Sequence, residues 1–77
     1  MIPAQCRMAR AGIRWTMREL AAAASVSRVT VVLFETGRRI PLPRTLAAIR
    51  AALEAAGVEF TDGDKPGVRL ARKGGAE

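Results

Sequence analysis

Three features of the sequence predict a mainly α fold, four short helices closed by a small C-terminal β-hairpin. The first is a pair of helix-start signals, at Thr16 and Ser27, each followed by apolar residues at helical spacing. The second is Pro43, a residue suited to the opening position of a helix, followed by an uninterrupted stretch to Gly57 with Leu46, Ile49 and Leu53 along one side. The third is a change of period after Gly57, where VEFT and VRLA alternate apolar and polar residues on either side of DGDKPG.

The first helix is expected over residues 3–11, with Pro3 tolerated in the opening turn and Gly12 as the stop. Ile2, Cys6, Ala9 and Ile13 fall at near-helical spacing for a buried stripe, and Arg7, Arg10 and Arg14 lie on an adjacent face. Trp15 precedes the second helix and is expected to pack across the first and last. Thr16 and Glu19 form a capping box at the start of the second helix, each side chain satisfying a free backbone amide. Leu20, Ala21 and Ala24 are its buried positions, and the alanines allow close approach. Ala24-Ser25-Val26 has the length of a tight turn, with Val26 apolar enough to plug the junction.

RVTVVLFE, taken alone, is a β-branched and aromatic run that propensity assigns to a strand. Ser27 as cap, Gly37 as stop and the distance between them override that preference and predict a third helix. Ser27, Thr30, Val31 and Phe34 then face inward, and Arg28, Val29, Val32 and Leu33 outward. RRIPLP cannot be helical, because Pro41 and Pro43 restrict the residues before them to extended conformations. The fourth helix runs from Pro43 to about Ala56, where Gly57 stops it. In the hairpin, Val58, Phe60, Val68 and Leu70 share an apolar face, opposite Glu59 and Arg69. A lone two-stranded hairpin is marginal in water, so it is expected to dock on the domain and to pair with a second subunit through those four residues. The chain accordingly divides into a helical domain at 1–57, a hairpin extension and dimerisation element at 58–73, and a disordered tail at 74–77.

At 77 residues the chain makes one domain at most, and such a chain buries only about 60% of its unfolded surface, which argues against a deep substrate pocket. Thirteen Lys and Arg against seven Asp and Glu leave a net charge of +6, and nearly all the basic residues are arginine, the side chain suited to forked contacts with phosphate and guanine. A basic domain built on two helices joined by a tight turn makes double-stranded DNA the expected partner. The single Cys6, in a chain without histidine, excludes an internal disulfide and gives no metal ligand set, so Cys6 is expected to be a small core residue. No tyrosine is present, no pair of carboxylates shares a helix face, and GDKPG lacks the strand-to-helix setting of a phosphate cradle. Neither catalysis nor a cofactor or metal is expected. The start of the chain lacks a continuous apolar segment and nothing approaches the ~20 apolar residues of a bilayer span, so the expected location is cytoplasmic, away from membranes.

Gly12-Ile13-Arg14-Trp15-Thr16, Glu19-Leu20-Ala21, Val26-Ser27, Phe34-Glu35-Thr36-Gly37-Arg38 and the helix from Pro43 to Leu53 resemble, in order and spacing, the XRE family of helix-turn-helix regulators, to which the Cro proteins and phage repressors belong. The resemblance covers about residues 4–56, and the tail resembles the short β extension of some small bacterial or phage members. It implies a four-helix Cro/repressor-like domain whose recognition helix, Ser27–Thr36, enters the major groove. Arg28 and Val29 would then face bases, with Leu33 a turn further on. Arg28 suits guanine and Val29 a thymine methyl. By the same resemblance Ser27 and Thr30 reach phosphate or serve as caps, and Arg38, Arg39 and Arg44 pass the DNA backbone. Arg18 takes over from the polar residue that the family usually has where Met17 stands, and Arg10 and Glu35 occupy positions that form a buried ion pair in some members. The implied function is a sequence-specific transcriptional regulator, in its simplest form a homodimeric repressor. Val29, Val32 and Leu33 make the outer face of the third helix unusually apolar. Such a face fits a protein-interaction module, the alternative function, such as the antitoxin of a toxin–antitoxin pair or an adaptor of another regulator; T-rich DNA sites or a different helix phase are the other readings of the same residues.

Overall fold

The computed structural model describes residues 1–71, and their elements follow in the order α1 (Pro3–Ile13), α2 (Met17–Ala24), α3 (Arg28–Glu35), α4 (Pro43–Ala55), β1 (Val58–Thr61) and β2 (Gly67–Leu70). The tail expected at 74–77, and the end of the 58–73 segment, lie outside the described residues.

Local signals set most of the helix ends. At the start of α2 the Glu19 N–H donates to Thr16 Oγ1 at 3.0 Å and the Thr16 N–H donates back to Glu19 Oε1 at 2.8 Å. Ser27 caps α3 by accepting the Thr30 N–H at 3.1 Å. Past the end of α3, Gly37 sits at φ 74° and the Arg38 N–H reaches back to the Leu33 carbonyl at 2.9 Å, the left-handed reversal that glycine adopts without strain. The β-branched run is helical because tertiary burial outweighs propensity: Val31 is fully buried and Phe34 nearly so.

Two features of the first helix differ from expectation. Gly12 does not end α1, which runs on to Ile13 and is closed by Arg14 in the left-handed region at φ 61°, its N–H bonded to the Ala11 carbonyl. Gly12 has a packing role instead, since a Cβ there would come within 3.0 Å of Leu70 Cδ2, so the missing side chain lets β2 lie against α1. Ile2, assigned to the buried stripe, is 46% exposed, because it stands before the first helical residue as the cap of α1. On α3, likewise, Ser27 is exposed and Thr30 only half-buried, since both are occupied in capping at the helix entrance.

Cys6 and Ala9 of α1, Leu20, Ala21 and Ala24 of α2, Val31 and Phe34 of α3, Ile49 and Leu53 of α4 and Val58 of β1 form one core. Ile13, Trp15, Met17, Val26, Leu46, Phe60 and Val68 pack around its rim. The strands are antiparallel, with Val58 opposite Leu70 and Phe60 opposite Val68. The hairpin docks chiefly on α1, and its tie is a side chain the sequence analysis passed over. Gln5, almost wholly buried, donates from Nε2 to the Thr61 carbonyl at 2.8 Å and the Gly67 carbonyl at 3.0 Å, while its Oε1 accepts the Ile2 N–H at 2.9 Å. Its amide thereby joins the start of α1 to both strands. Arg50 lies 5.1 Å from the Phe60 ring centroid and pairs with Glu54, covering the other side of the hairpin.

Candidate nucleic-acid interface

α2 and α3 pack directly on one another across the Ser25–Val26 turn, where Ser25 takes a left-handed backbone (φ 57°). Val31 and Phe34 hold the inner side of α3 in the core, which turns its first two residues outward. Arg28 is exposed and Val29 is 62% exposed. Ser27 Oγ and Thr30 Oγ1 lie 2.8 Å apart, so these hydroxyls bind each other as well as the helix start. The Thr36 hydroxyl donates to the Val32 carbonyl at 2.8 Å. Arg28 is therefore the side chain on this surface with a full set of uncommitted donors. Val32 and Leu33 are half-buried, and the outer apolar patch is centred on Val29.

Arg18 is exposed on the first turn of α2, Arg38 and Arg39 follow the Gly37 reversal, and Arg44 is exposed on the first turn of α4. A groove of about 290 Å³ lined by Thr30, Arg39, Ile40, Pro41, Leu42 and Thr45 joins the first turns of α3 and α4. It brings loop Arg39 beside the helix that carries Arg28.

The far end of α3 is held by α1. Arg10 forks onto the Glu35 carboxylate, Nε to Oε2 at 2.7 Å and Nη2 to Oε1 at 2.8 Å, and its Nη1 donates to the Trp15 carbonyl at 2.9 Å. The Cys6 thiol donates to Glu35 Oε2 at 3.3 Å, and Arg7 donates from Nη1 to the Glu35 backbone carbonyl. These bonds to Glu35 raise the Arg10 pKa further above its ordinary value. Burial, and then the carboxylate it faces, push the Cys6 thiol up to about 12, so at neutral pH it keeps the proton that it donates. Cys6 is thus a core residue with a polar task that composition did not reveal; the signal in the sequence was its position one turn before Arg10 on the same helix. Among the described residues no group of three or more His, Cys, Asp and Glu is placed to hold a metal ion, and no helix is long and apolar enough to cross a membrane.

These features define a DNA-binding helix-turn-helix domain: a capped, outward-turned helix start carrying a free guanidinium, packed on a supporting helix and flanked by exposed arginines. The family model described as helix-turn-helix matches residues 7–59, a span that runs from α1 into β1. The chain belongs to the XRE-type helix-turn-helix family and is a DNA-binding transcription regulator; that family is one of regulators, not of enzymes. No curated protein matches the chain.

Proposed function

We propose that the protein is a sequence-specific repressor that binds its operator as a homodimer, with Ser27–Thr36 as the recognition helix. The exposed first turn of α3 carries this reading. Arg28 offers a fork to guanine O6 and N7, Val29 faces the neighbouring base edges and Leu33 follows one turn later. Ser27 and Thr30 hold the helix entrance at the backbone, and Arg18, Arg38, Arg39 and Arg44 neutralise phosphates on either side. Occupation of promoter DNA then blocks polymerase access.

One such unit reads only a few base pairs, and useful specificity takes two, about 34 Å apart on one face of the duplex. The hairpin supplies the pairing element. Val58 is spent on the domain's own core and Phe60 and Val68 pack at its rim, whereas Leu70 is 51% exposed. One side of Leu70 lies against Gly12 of α1, and its exposed side, with the outer backbone edge, is proposed to meet a second copy.

The test is selection of binding sequences from a randomised duplex pool, with light scattering on the free protein. Enrichment of an inverted repeat, and a dimer that Leu70→Lys converts to a monomer of unchanged helical content, are the expected results. A monomer at micromolar concentration without DNA refutes the strand-edge dimer. Retention of a protein partner that Val29→Ala releases, with no sequence enriched, would favour the interaction module.

A further inference from the structure

The chemistry of the exposed α3 turn goes beyond guanine recognition. We propose that this helix reads C5-methyl groups in the major groove, so that thymine and 5-methylcytosine are favoured over uracil and cytosine at the base facing Val29. The inference rests on α3 being the recognition helix and specifies what that helix recognises.

The outward side chains of α3 divide sharply. Arg28 is charged and exposed, and the next residue, Val29, shows 62% of its surface to solvent. Leu33 lies one turn on from Val29, on the same side and half-buried. The hydroxyls that would otherwise discriminate bases are engaged within the protein: Ser27 with Thr30 at 2.8 Å, and Thr36 with the Val32 carbonyl at 2.8 Å. Beyond Arg28, what α3 presents is an isopropyl group backed by an isobutyl group.

The major-groove edge of each base pair is made mainly of hydrogen-bond donors and acceptors, and its one bulky apolar group is the methyl on C5 of thymine, where cytosine has only a hydrogen. An apolar side chain against a donor or acceptor strips it of water without replacement, which is unfavourable; against a methyl it removes apolar surface from both partners. Val29 therefore selects for a C5 methyl. 5-Methylcytosine carries that group on the same ring atom, and an isopropyl group has no means of sensing the exocyclic group at C4 that separates the two bases. The occupant is DNA rather than an apolar protein surface because the patch adjoins Arg28, and Arg39 lies across the Thr30 groove, a cationic setting matched to phosphate.

The experiment uses the intact protein and duplexes selected from a randomised pool. Each thymine of the enriched sequence is replaced in turn by uracil, which removes only the methyl. At the responsive position, cytosine and 5-methylcytosine duplexes of otherwise identical sequence are then compared. Burial of one methyl corresponds to about a fourfold change in affinity. The expected results are a loss of that size for uracil at one thymine per half-site and a gain of that size on methylating cytosine there. Both ratios should fall toward one in Val29→Ala, an exposed substitution that leaves the core intact, and stay unchanged in Arg28→Ala despite its weaker binding. Equal affinity of thymine and uracil at every position, or ratios that survive Val29→Ala, overturn the inference while leaving α3 as the recognition helix. Failure to enrich any sequence overturns both.

Discussion

Arg10→Met isolates the contact that holds the far end of α3. The substitution keeps most of the aliphatic volume of a side chain that is 21% exposed and removes the fork on a carboxylate that is 3% exposed. Glu35 Oε1 then has no partner, Oε2 keeps only the Cys6 thiol at 3.3 Å, and the Trp15 carbonyl loses the Arg10 donor at 2.9 Å. Leaving a buried carboxylate without its counter-charge costs about 3–5 kcal/mol, while a domain of this length has roughly 4–12 kcal/mol of total stability. A single change far from the DNA should therefore remove a large fraction of the fold's margin. Replacing both partners, Arg10→Met with Glu35→Leu, removes the desolvated charge as well and should recover most of the loss, because the attraction between buried ions is largely offset by the cost of taking them out of water.

Urea unfolding followed by circular dichroism measures both effects. With a slope of about 1 kcal/mol per molar urea, the single variant should unfold at a midpoint about 3–5 M below the parent, and the double variant close to the parent. A single variant within about 1 kcal/mol of the parent, or a double variant no better than the single, refutes the assignment of Glu35 as a charge that depends on Arg10. Operator affinity of the double variant separates stability from orientation. If the fork sets the tilt of α3, binding falls although stability has returned, and full affinity would show that core packing alone sets it.

Arg28→Ala should weaken binding to the selected sequence by roughly 1–3 kcal/mol more than to random duplex; equal losses on the two would make Arg28 a phosphate contact. Alanine at Arg38, Arg39 or Arg44 should weaken both duplexes alike and flatten the dependence of log affinity on log salt by about one for each phosphate no longer neutralised; an unchanged slope in all three removes the α3–α4 loop from the interface. The Cys6 thiol, raised to about 12 in the folded protein, stays protonated there while the unfolded chain releases its proton above its ordinary value. Stability is thus fully present below about pH 9 and falls as pH rises toward 12, by up to about 1.4 kcal/mol per pH unit. Cys6→Ala should show a shallower decline over that window, and parallel pH profiles for the two proteins would rule the thiol out.

The elements most legible in the sequence are those whose signals act within a few residues. Thr16 with Glu19, Ser27 with Thr30 and Gly37 each satisfy or reverse backbone close to themselves, and Pro43 opens α4 by its own ring constraint, so α2, α3 and α4 begin where their residue types indicate. Gly12 misled because glycine serves two purposes, helix termination and close packing, and the partner that decides between them is Leu70, far along the chain. Arg14 takes the left-handed closure although nothing in its type favours it, since backbone bonds from Arg14 to Ala11 and from Trp15 to Arg10 hold it there. Gln5 was invisible for a similar reason: its acceptors lie 56 and 62 residues away. Within the interface, the exposure of Arg28 and Val29 followed from helical phase. The engagement of Ser27 with Thr30 depended on a rotamer that phase does not specify.

Position along α1 links the two functional ends of the domain. Gln5 faces the hairpin, and Cys6, Arg7 and Arg10 reach Glu35, all within about a turn and a half of one helix. The anchor of α3, the proposed recognition helix, and the anchor of the proposed dimer edge are thus spaced by α-helical geometry. The direct route between α3 and α4 is different in kind. It runs through a loop whose Ile40 and Leu42 are 84% and 63% exposed, held to α3 by backbone bonds from Arg38 and Arg39 to the Leu33 carbonyl. In the proposed dimer paired through β2, the separation of the two α3 helices would therefore be set through α1. In that proposed dimer, the spacing carried by α1 would contribute to operator selectivity alongside the side chains proposed to touch bases.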